Sequence, residues 1–481
     1  MGANFALKRN MKNINKIYID GGFVTPKGVE EADIISPIDG AVIARMTYAN
    51  EEDTVLAIRA AARALKSYSQ SSINERKGYL QRIHDEIMKR MDELIEATIR
   101  EYGATRERAK WSNMLAATTF LSYIPIIESY PFERAVNESR VVMEAVGVAA
   151  LFTPWNSSSG SIAVKVAPAL ATGCTIILKP SEFSPLQSQL IMEAIDASGL
   201  PPGVVNMVNG RGDVVSKPIL ESMDVRKIAF TGSTQVGKLI ARQSVETMKR
   251  LTLELSGKSA NIILDDADLT AAIPMALQSA FMNNGQACIA GSRLLVPWTC
   301  LEEVRKILLD TAPQFTVGDP GRLDVKLGPV ASRKQFDRIQ QYIAAGMAEG
   351  AELIYGGPGR PEGIETGYYV KPTIFMGVNN DMQIAREEIF GPVLSVIAYG
   401  DEAEAVDIAN DTSYGLMAYI SSKDIKRAEK LAPQLKAGRV LINTLKHDPL
   451  APFGGYKHSG IGRENGTFGL EEYLEAKTLI A

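Results

Sequence analysis

A chain of 481 residues is too long for one ordinary hydrophobic core, so two or three domains are expected. With 46% hydrophobic residues, 22% charged residues and a net charge of -4, it has the balance of a soluble globular protein. No basic surplus or like-charge run points to nucleic acid or to an interaction tail.

Three cysteines (Cys174, Cys288, Cys300) are too few for a disulfide framework, and the odd number fits a reducing compartment. Three histidines (His84, His447, His458) without metal-ligand spacing speak against a transition-metal enzyme, and no metal is expected. The run Met1-Gly2-Ala3-Asn4-Phe5-Ala6 has no apolar signal core, and its sixth residue is not the Ser or Thr that myristoylation requires. The apolar run 145–152 is far shorter than the roughly 20 residues of a membrane helix. A cytoplasmic protein with no membrane or nucleic-acid partner is expected.

In chain order, residues 16–22 read as a short strand entering a turn. Residues 52–68 read as a helix with Val55, Ile58, Ala62 and Leu65 on one face. Residues 76–100 read as one long helix carrying Leu80, Ile83, Ile87, Met91 and Leu94. Residues 133–144 mix charged and β-branched side chains (Arg134, Val136, Arg140, Val141, Val142), as in an exposed hairpin whose edge can pair with another subunit.

From residue 148 the period changes. Apolar strands at 148–152, 175–178, 204–208, 227–230 and 251–255 are joined mostly by helices at 164–171, 186–198, 214–222 and 236–248. That alternation predicts a parallel sheet covered by helices, with ligands at the C-terminal ends of the strands. A helix-like stretch (Ile273, Leu277, Ala280, Phe281) and a strand-like run at 294–296 bracket Cys288. Helices at 301–309 and 334–349 and strands at 395–399, 417–420 and 440–442 predict a second α/β domain. The Gly/Pro-rich run 356–363 reads as a surface loop.

Polar motifs fall at the strand ends: Thr153-Pro154-Trp155-Asn156, Lys179-Pro180-Ser181-Glu182, Thr231-Gly232-Ser233 and, beyond Glu254, Ser256-Gly257-Lys258. The spacing Gly232-x4-Gly237-Lys238 approaches a P-loop, but Leu239 replaces the Mg²⁺-binding Ser/Thr, so a glycine turn offering backbone N–H groups to a phosphate is all it supports. No strict G-x-G-x-x-G is present, since Gly210-Arg211-Gly212 lacks its third glycine.

Cys288 stands in Asn283-Asn284-Gly285-Gln286-Ala287-Cys288-Ile289-Ala290-Gly291-Ser292-Arg293. Its small neighbours suggest room for a substrate, and an amide-lined or electropositive setting would lower its pKa. A buried structural cysteine is the competing reading. Glu254 lies between Leu253 and Leu255, and alternation alone makes it a solvated strand residue.

The chain resembles the aldehyde dehydrogenase superfamily over nearly its whole length. The motifs are Pro154-Trp155-Asn156, Lys179-Pro180-Ser181-Glu182, Phe230-Thr231-Gly232-Ser233, Leu253-Glu254-Leu255-Ser256-Gly257-Lys258, Gly285-Gln286-Ala287-Cys288, Glu387-Glu388-Ile389-Phe390-Gly391-Pro392 and Pro452-Phe453-Gly454-Gly455-Tyr456-Lys457, in the family's order.

The resemblance implies an α/β chain in three parts. These are a Rossmann-like NAD-binding domain (1–126 and 147–256), an α/β catalytic domain with the nucleophilic cysteine (257–458), and a small β oligomerisation element (127–146 and 459–481). It further implies Cys288 as nucleophile, Asn156 with the Cys288 N–H as oxyanion hole, Glu254 as the base that activates water, and Lys165 and Glu464 as a proton relay. The cofactor implied is NAD, with NADP a weaker alternative. Its contacts would be Thr153, Pro154, Trp155, Lys179, Ser181, Glu182, Gly212, Phe230, Thr231, Gly232, Ser233, Val236, Leu255, Glu388 and Phe390, with Glu182 on the ribose hydroxyls.

Ser157 stands where the family often has a large aromatic residue, and the expected substrate tunnel reads Val164, Met282, Leu445, His447 and Phe453. Lys446 and His447 suit an oxygenated or acidic aldehyde, or else simply face solvent. The expected enzyme is a homodimer or homotetramer oxidising a small-molecule aldehyde, through a tunnel wider and more polar than one built for acetaldehyde. A CoA-acylating enzyme, a nucleotide-dependent phosphotransferase and a silent homologue are the alternatives.

Overall fold

The computed structural model describes residues 12–480; the run Met1 to Ala6 lies outside them. Within the described residues no helix is long and apolar enough to cross a membrane.

An eight-stranded sheet carries, in spatial order, Gly460–Ile461, Arg250–Glu254, Val225–Thr231, Val148–Phe152, Thr175–Lys179, Val205–Met207, Ile17–Ile19 and Gly22–Val24. The five central strands are parallel and mostly buried, which is why most of their residues are apolar. The chain starts at Val148–Phe152, moves outward through two strands, then returns to that strand's other side. The switch point therefore lies between Val148–Phe152 and Val225–Thr231, where ligands of such sheets bind. Register levels the strand ends: Phe152 lies opposite both Lys179 and Phe230, and Thr231 opposite Glu254.

A seven-stranded sheet forms the second α/β unit, in the order Glu352–Tyr355, Thr373–Met376, Val393–Tyr399, Arg293–Pro297, Ala260–Ile263, Met417–Ser421 and Arg439–Ile442. All its neighbouring pairs are parallel except the edge strand Glu352–Tyr355. Two three-stranded sheets complete the fold. One joins Leu474–Leu479, Ser139–Ala145 and Glu133–Val136, so the expected hairpin is present and the C-terminal strand extends it.

Several expectations need correction. The helix expected over 76–100 is two, Ile73–Lys89 and Met91–Tyr102, with Arg90 leaving helical geometry between them. Leu80, Ile83, Ile87, Met91 and Leu94 are all buried, so the apolar spacing continues through the break and does not reveal it. In Glu51–Tyr68 the buried stripe is Thr54, Ala57, Ile58, Ala61, Ala64 and Tyr68, rotated from the expected one, because small alanines allow closer packing than Val55 or Leu65.

The helix Arg106–Ser129 has no counterpart in the sequence reading, and it spans the expected boundary at 126. The segment after 458 is not purely an outlying element. Gly460–Ile461 pairs with Leu253 and Glu254, and Glu472 accepts from Lys227 Nζ (3.0 Å) and Thr252 Oγ1 (2.8 Å). Leu470, Tyr473 and Leu474 are buried in the core of the first sheet. Only from Leu474 onward does the chain join the small sheet.

Candidate active site

Cys288 is held by amides. After the helix Leu269–Phe281, three consecutive residues adopt left-handed backbone: Asn283 (φ 55°), Asn284 (φ 60°) and Gly285 (φ 71°). Asparagine tolerates this region better than other side chains. The glycine is obligatory, because a Cβ there would lie 2.1 Å from the Gly391 carbonyl carbon.

Each amide side chain of this turn is latched to a distant segment. Asn284 donates to the carbonyls of Gly103 (3.1 Å) and Pro329 (3.0 Å) and accepts from Gly328 N–H (2.8 Å). Gln286 accepts from Ala331 N–H (2.9 Å) and donates to Tyr102 Oη (3.2 Å). Asn283 donates to the carbonyls of Asn156 (2.9 Å) and Gln286 (3.1 Å). The small residues around Cys288 serve close backbone approach. Gly257 passes so near that a Cβ would sit 2.2 Å from the Cys288 carbonyl oxygen, and one on Gly291 would meet Ser279 Oγ at 2.6 Å. Asn156 Nδ2 donates to the Gln286 carbonyl at 2.9 Å, leaving one amide hydrogen for another acceptor.

The expected lowering of the thiol pKa is not found. Burial, reinforced by the charges of Glu388 and Glu254, pushes Cys288 up to about 12. The amides of Asn156 and Asn283 point their hydrogens at backbone carbonyls, and the charges of Glu388, Glu254 and Glu464 act on the sulfur.

Glu254 is not a solvated strand residue. It is 3% exposed, and neither carboxyl oxygen has a hydrogen-bond partner. The strand Gly460–Ile461 and the turn at Gly454 close over it; a Cβ on Gly454 would meet Glu254 Oε1 at 2.7 Å. Burial and then the Glu464 charge raise its carboxyl well above the usual range, opposed by Lys165 and Arg463. Lys165, also buried, forms an ion pair with Glu464 and donates to Thr231 Oγ1 at 2.7 Å. The expected relay pair is thus in contact, within electrostatic reach of Glu254.

The other predicted residues gather at the switch point. Thr153 N–H donates to the Lys179 carbonyl (3.1 Å), and Thr153 Oγ1 is buried without a partner. Lys179 Nζ meets Glu182 at 2.8 Å, and a Cβ on Gly212 would lie 3.9 Å from that Nζ. Ser181 Oγ caps the Phe183 N–H. Phe230 stands edge-on to Phe152, and Gly232 fits against the Phe230 ring so closely that a Cβ would lie 2.5 Å from it. Ser233 caps the helix Thr234–Ser244 by accepting from Val236 N–H (3.3 Å), and Leu255 packs against Gly237 of that helix. Glu388 accepts from Gly257 N–H (3.0 Å), and burial raises its carboxyl. Phe390 holds φ 60°, a strained value for an aromatic residue, with its ring edge-on to Trp155 at 5.4 Å. Pro154 shares this strand-end turn.

On the far side of Asn156, Ser157 Oγ lies 3.0 Å from Ser112 Oγ. Val164, Met282, Leu445 and Phe453 are half-buried, while Lys446 and His447 lie at the surface. His447 stands edge-on to Trp111 (6.2 Å between centroids). Sequence reasoning gave Asn283 and Asn284 no role of their own and did not single out Tyr102, Arg108, Trp111 or Ser112. An unusual density of amides before Cys288 was the only visible signal for the first two.

The model of the aldehyde dehydrogenase family matches residues 23–479. A 3-succinoylsemialdehyde-pyridine dehydrogenase of Pseudomonas sp. is 45% identical over 472 residues, covering 98% of this chain and 99% of the relative. Among solved structures, a cysteine-to-alanine variant of an aldehyde dehydrogenase from Pseudomonas syringae, complexed with NAD+ and octanal, superposes with a TM-score of 0.96 at 42% identity and covers 98% of each chain. A betaine aldehyde dehydrogenase from Staphylococcus aureus, in complex with NAD+, gives a TM-score of 0.94 at 35% identity, covering 97% of this chain and 94% of that one. This chain belongs to the aldehyde dehydrogenase family.

Proposed function

We propose that this chain oxidises an aldehyde to the carboxylic acid with NAD, through a thiohemiacetal and then a thioester on Cys288. The observation that carries the reading is the buried, unpartnered Glu254 carboxyl, close enough for its charge to act on the Cys288 sulfur. Such an isolated carboxyl costs folding energy and is retained where a proton must be moved.

The residues at the switch point fit a dinucleotide. They offer an unpartnered Thr153 hydroxyl, a Ser233-capped helix start for a diphosphate, and the Lys179 and Glu182 pair for a ribose. Bound NAD would supply a hydride acceptor and a positive ring that favours the thiolate. In the chain's own steps, the Cys288 thiol gives its proton to water and the sulfur attacks the carbonyl carbon. The free amide hydrogen of Asn156 and the Cys288 N–H hold the resulting oxyanion. Glu254 takes a proton from the water that cleaves the thioester, returning the cysteine and releasing the acid. Lys165 and Glu464 pass that proton outward.

A water-activating base is superfluous if CoA takes the acyl group, so Glu254 favours hydrolysis over acylation. With a panel of aldehydes, NADH and free acid should form without CoA. A strict CoA requirement, or no NADH at all, would overturn the reading.

Glu182 should set cofactor choice, since a carboxylate accepts from ribose hydroxyls and repels a 2′-phosphate. Lys179 tempers that repulsion. We expect NAD to be preferred by about tenfold or more, given roughly 1.4 kcal/mol per tenfold. Glu182→Gln should narrow the gap mainly by improving NADP. Equal kcat/KM for both cofactors in the wild type contradicts the role.

We also place the protein in the cytoplasm as a homodimer or homotetramer. The free edge of Leu474–Leu479 supports an assembled state, because an unpaired edge strand is stable only when covered. Truncation after Leu474 keeps the buried residues of the C-terminal segment and should lower the mass measured by light scattering. A monomeric full-length protein contradicts assembly.

A further inference from the structure

We infer that Arg108 recognises the far end of the substrate, and that this substrate is an aldehyde bearing a carboxylate remote from its carbonyl. The inference rests on the aldehyde-oxidising reading above and names its substrate class.

Arg108 lies in the first turn of the helix Arg106–Ser129. Its guanidinium carbon stands 4.2 Å from the Trp111 ring centroid, so one face of the cation is covered by an aromatic surface. Its Nε is buried and has no hydrogen-bond partner, and the side chain has no ion-pair or hydrogen-bond partner among the described residues. A desolvated guanidinium left unpaired is costly, and the cost is recovered only when an acceptor arrives.

The neighbouring cations differ. Arg106 is paired with Glu96 at 2.6 Å, and Arg439 is spent on the carbonyls of Pro452, Asp448 and Ala451. Lys446 is solvated at the surface. The acidic-substrate expectation attached to Lys446 and His447 therefore passes to Arg108. His447 serves poorly as a cation, because partial desolvation of its ring and the charges of Arg439 and Arg108 lower its pKa.

Position ties this cation to the reacting centre. Arg108 lines one small cavity together with Tyr102, Ser112, Asn156, Ser157 and Asn283. Ser112 follows one turn later on the same helix face, and its Oγ meets Ser157 Oγ at 3.0 Å, next to the Asn156 amide. A substrate whose carbonyl sits at Asn156 would therefore extend past Ser112 and Ser157 toward Arg108. Trp111 stands beside that path, 43% exposed, with its ring edge toward His447. A planar, forked donor backed by an aromatic ring suits a carboxylate, which it can bind bidentately.

The test compares a series of unbranched aldehydes of increasing length that end in a carboxylate, each against its methyl ester. At the best length the wild type should favour the carboxylate by roughly ten- to hundredfold in kcat/KM, mostly through KM. Arg108→Met should bring that ratio to about one, and Arg108→Lys should keep part of it. A merely structural loss would slow both substrates and leave the ratio unmoved. A wild-type ratio of one or less across the series, or an unchanged ratio in Arg108→Met, overturns the inference. If neither substrate is oxidised, the underlying reading fails. Carboxylate recognition is then decided by calorimetry of pentanoate against pentanamide on the NAD-loaded protein. Tighter pentanoate binding that Arg108→Met abolishes supports it, and equal binding overturns it.

Discussion

Replacing Cys288 with alanine should abolish aldehyde oxidation, lowering kcat by roughly 10⁴-fold or more, because the covalent intermediate forms on that sulfur. Binding of NAD should change by no more than about twofold, a shift under roughly 0.5 kcal/mol. The cofactor contacts proposed here lie at the sheet's switch point, and the turn carrying Cys288 is fixed by Asn283, Asn284 and Gln286, whose latches do not involve the sulfur. Cys300→Ser, on the partly exposed turn before Leu301–Thr311, should retain activity. Since burial and the nearby carboxyl groups push the thiol up to about 12, alkylation of Cys288 in the cofactor-free enzyme should rise steadily with pH through the neutral and alkaline range. Fast, pH-independent alkylation at neutral pH would show that the thiol is already activated without cofactor.

Glu254→Gln should divide the reaction in two. Attack by Cys288 and loss of hydride need no base at position 254, so up to one equivalent of NADH per active site should appear in a fast burst. Steady turnover should then fall roughly 10²–10⁴-fold, the usual contribution of a general base. Hydroxylamine, a stronger nucleophile than water, should restore part of the turnover.

The same variant should be more stable near neutral pH. In the unfolded chain Glu254 ionises near the ordinary carboxyl value, whereas burial and Glu464 hold it protonated to a higher pH in the folded state. Its contribution is therefore fully present in acid and is lost as pH rises toward the folded-state value. A neutral amide removes that loss, and the thermal midpoint at pH 7 should rise by about 1–3 °C relative to wild type. Unchanged steady-state rates would mean that Glu254 is not the base. Loss of the burst would assign it to thiol activation instead.

How much of this was legible beforehand depended on whether the determining contacts are local. The five parallel strands of the first sheet could be read because burial on both faces leaves them mainly apolar. Glu254 could not be placed by pattern. Its alternation with Leu253 and Leu255 is that of a half-exposed strand, and what buries it arrives about 200 residues later in the chain, at Gly454 and Gly460. The amides before Cys288 were conspicuous, but their partners at Gly103, Pro329 and Ala331 are remote in sequence. Arg106–Ser129 was missed although it is 24 residues long, since it is apolar on more than one side and contains Pro125. With it went Arg108, whose significance lies in the absence of a partner, which spacing does not reveal. The resemblance to the family supplied the roles of Cys288, Asn156 and Glu254; the thiol's raised pKa emerged only from the geometry.

On this mechanism the acyl group rests on Cys288 until Glu254 delivers water. Mass spectrometry of the Cys288 peptide tests it most directly, using Glu254→Gln quenched after the NADH burst with an aldehyde and NAD. The mass of the acyl group should appear on Cys288 in proportion to the burst, and hydroxylamine should remove it. A full burst with an unmodified Cys288 peptide, or with the acyl mass on another residue, would contradict it.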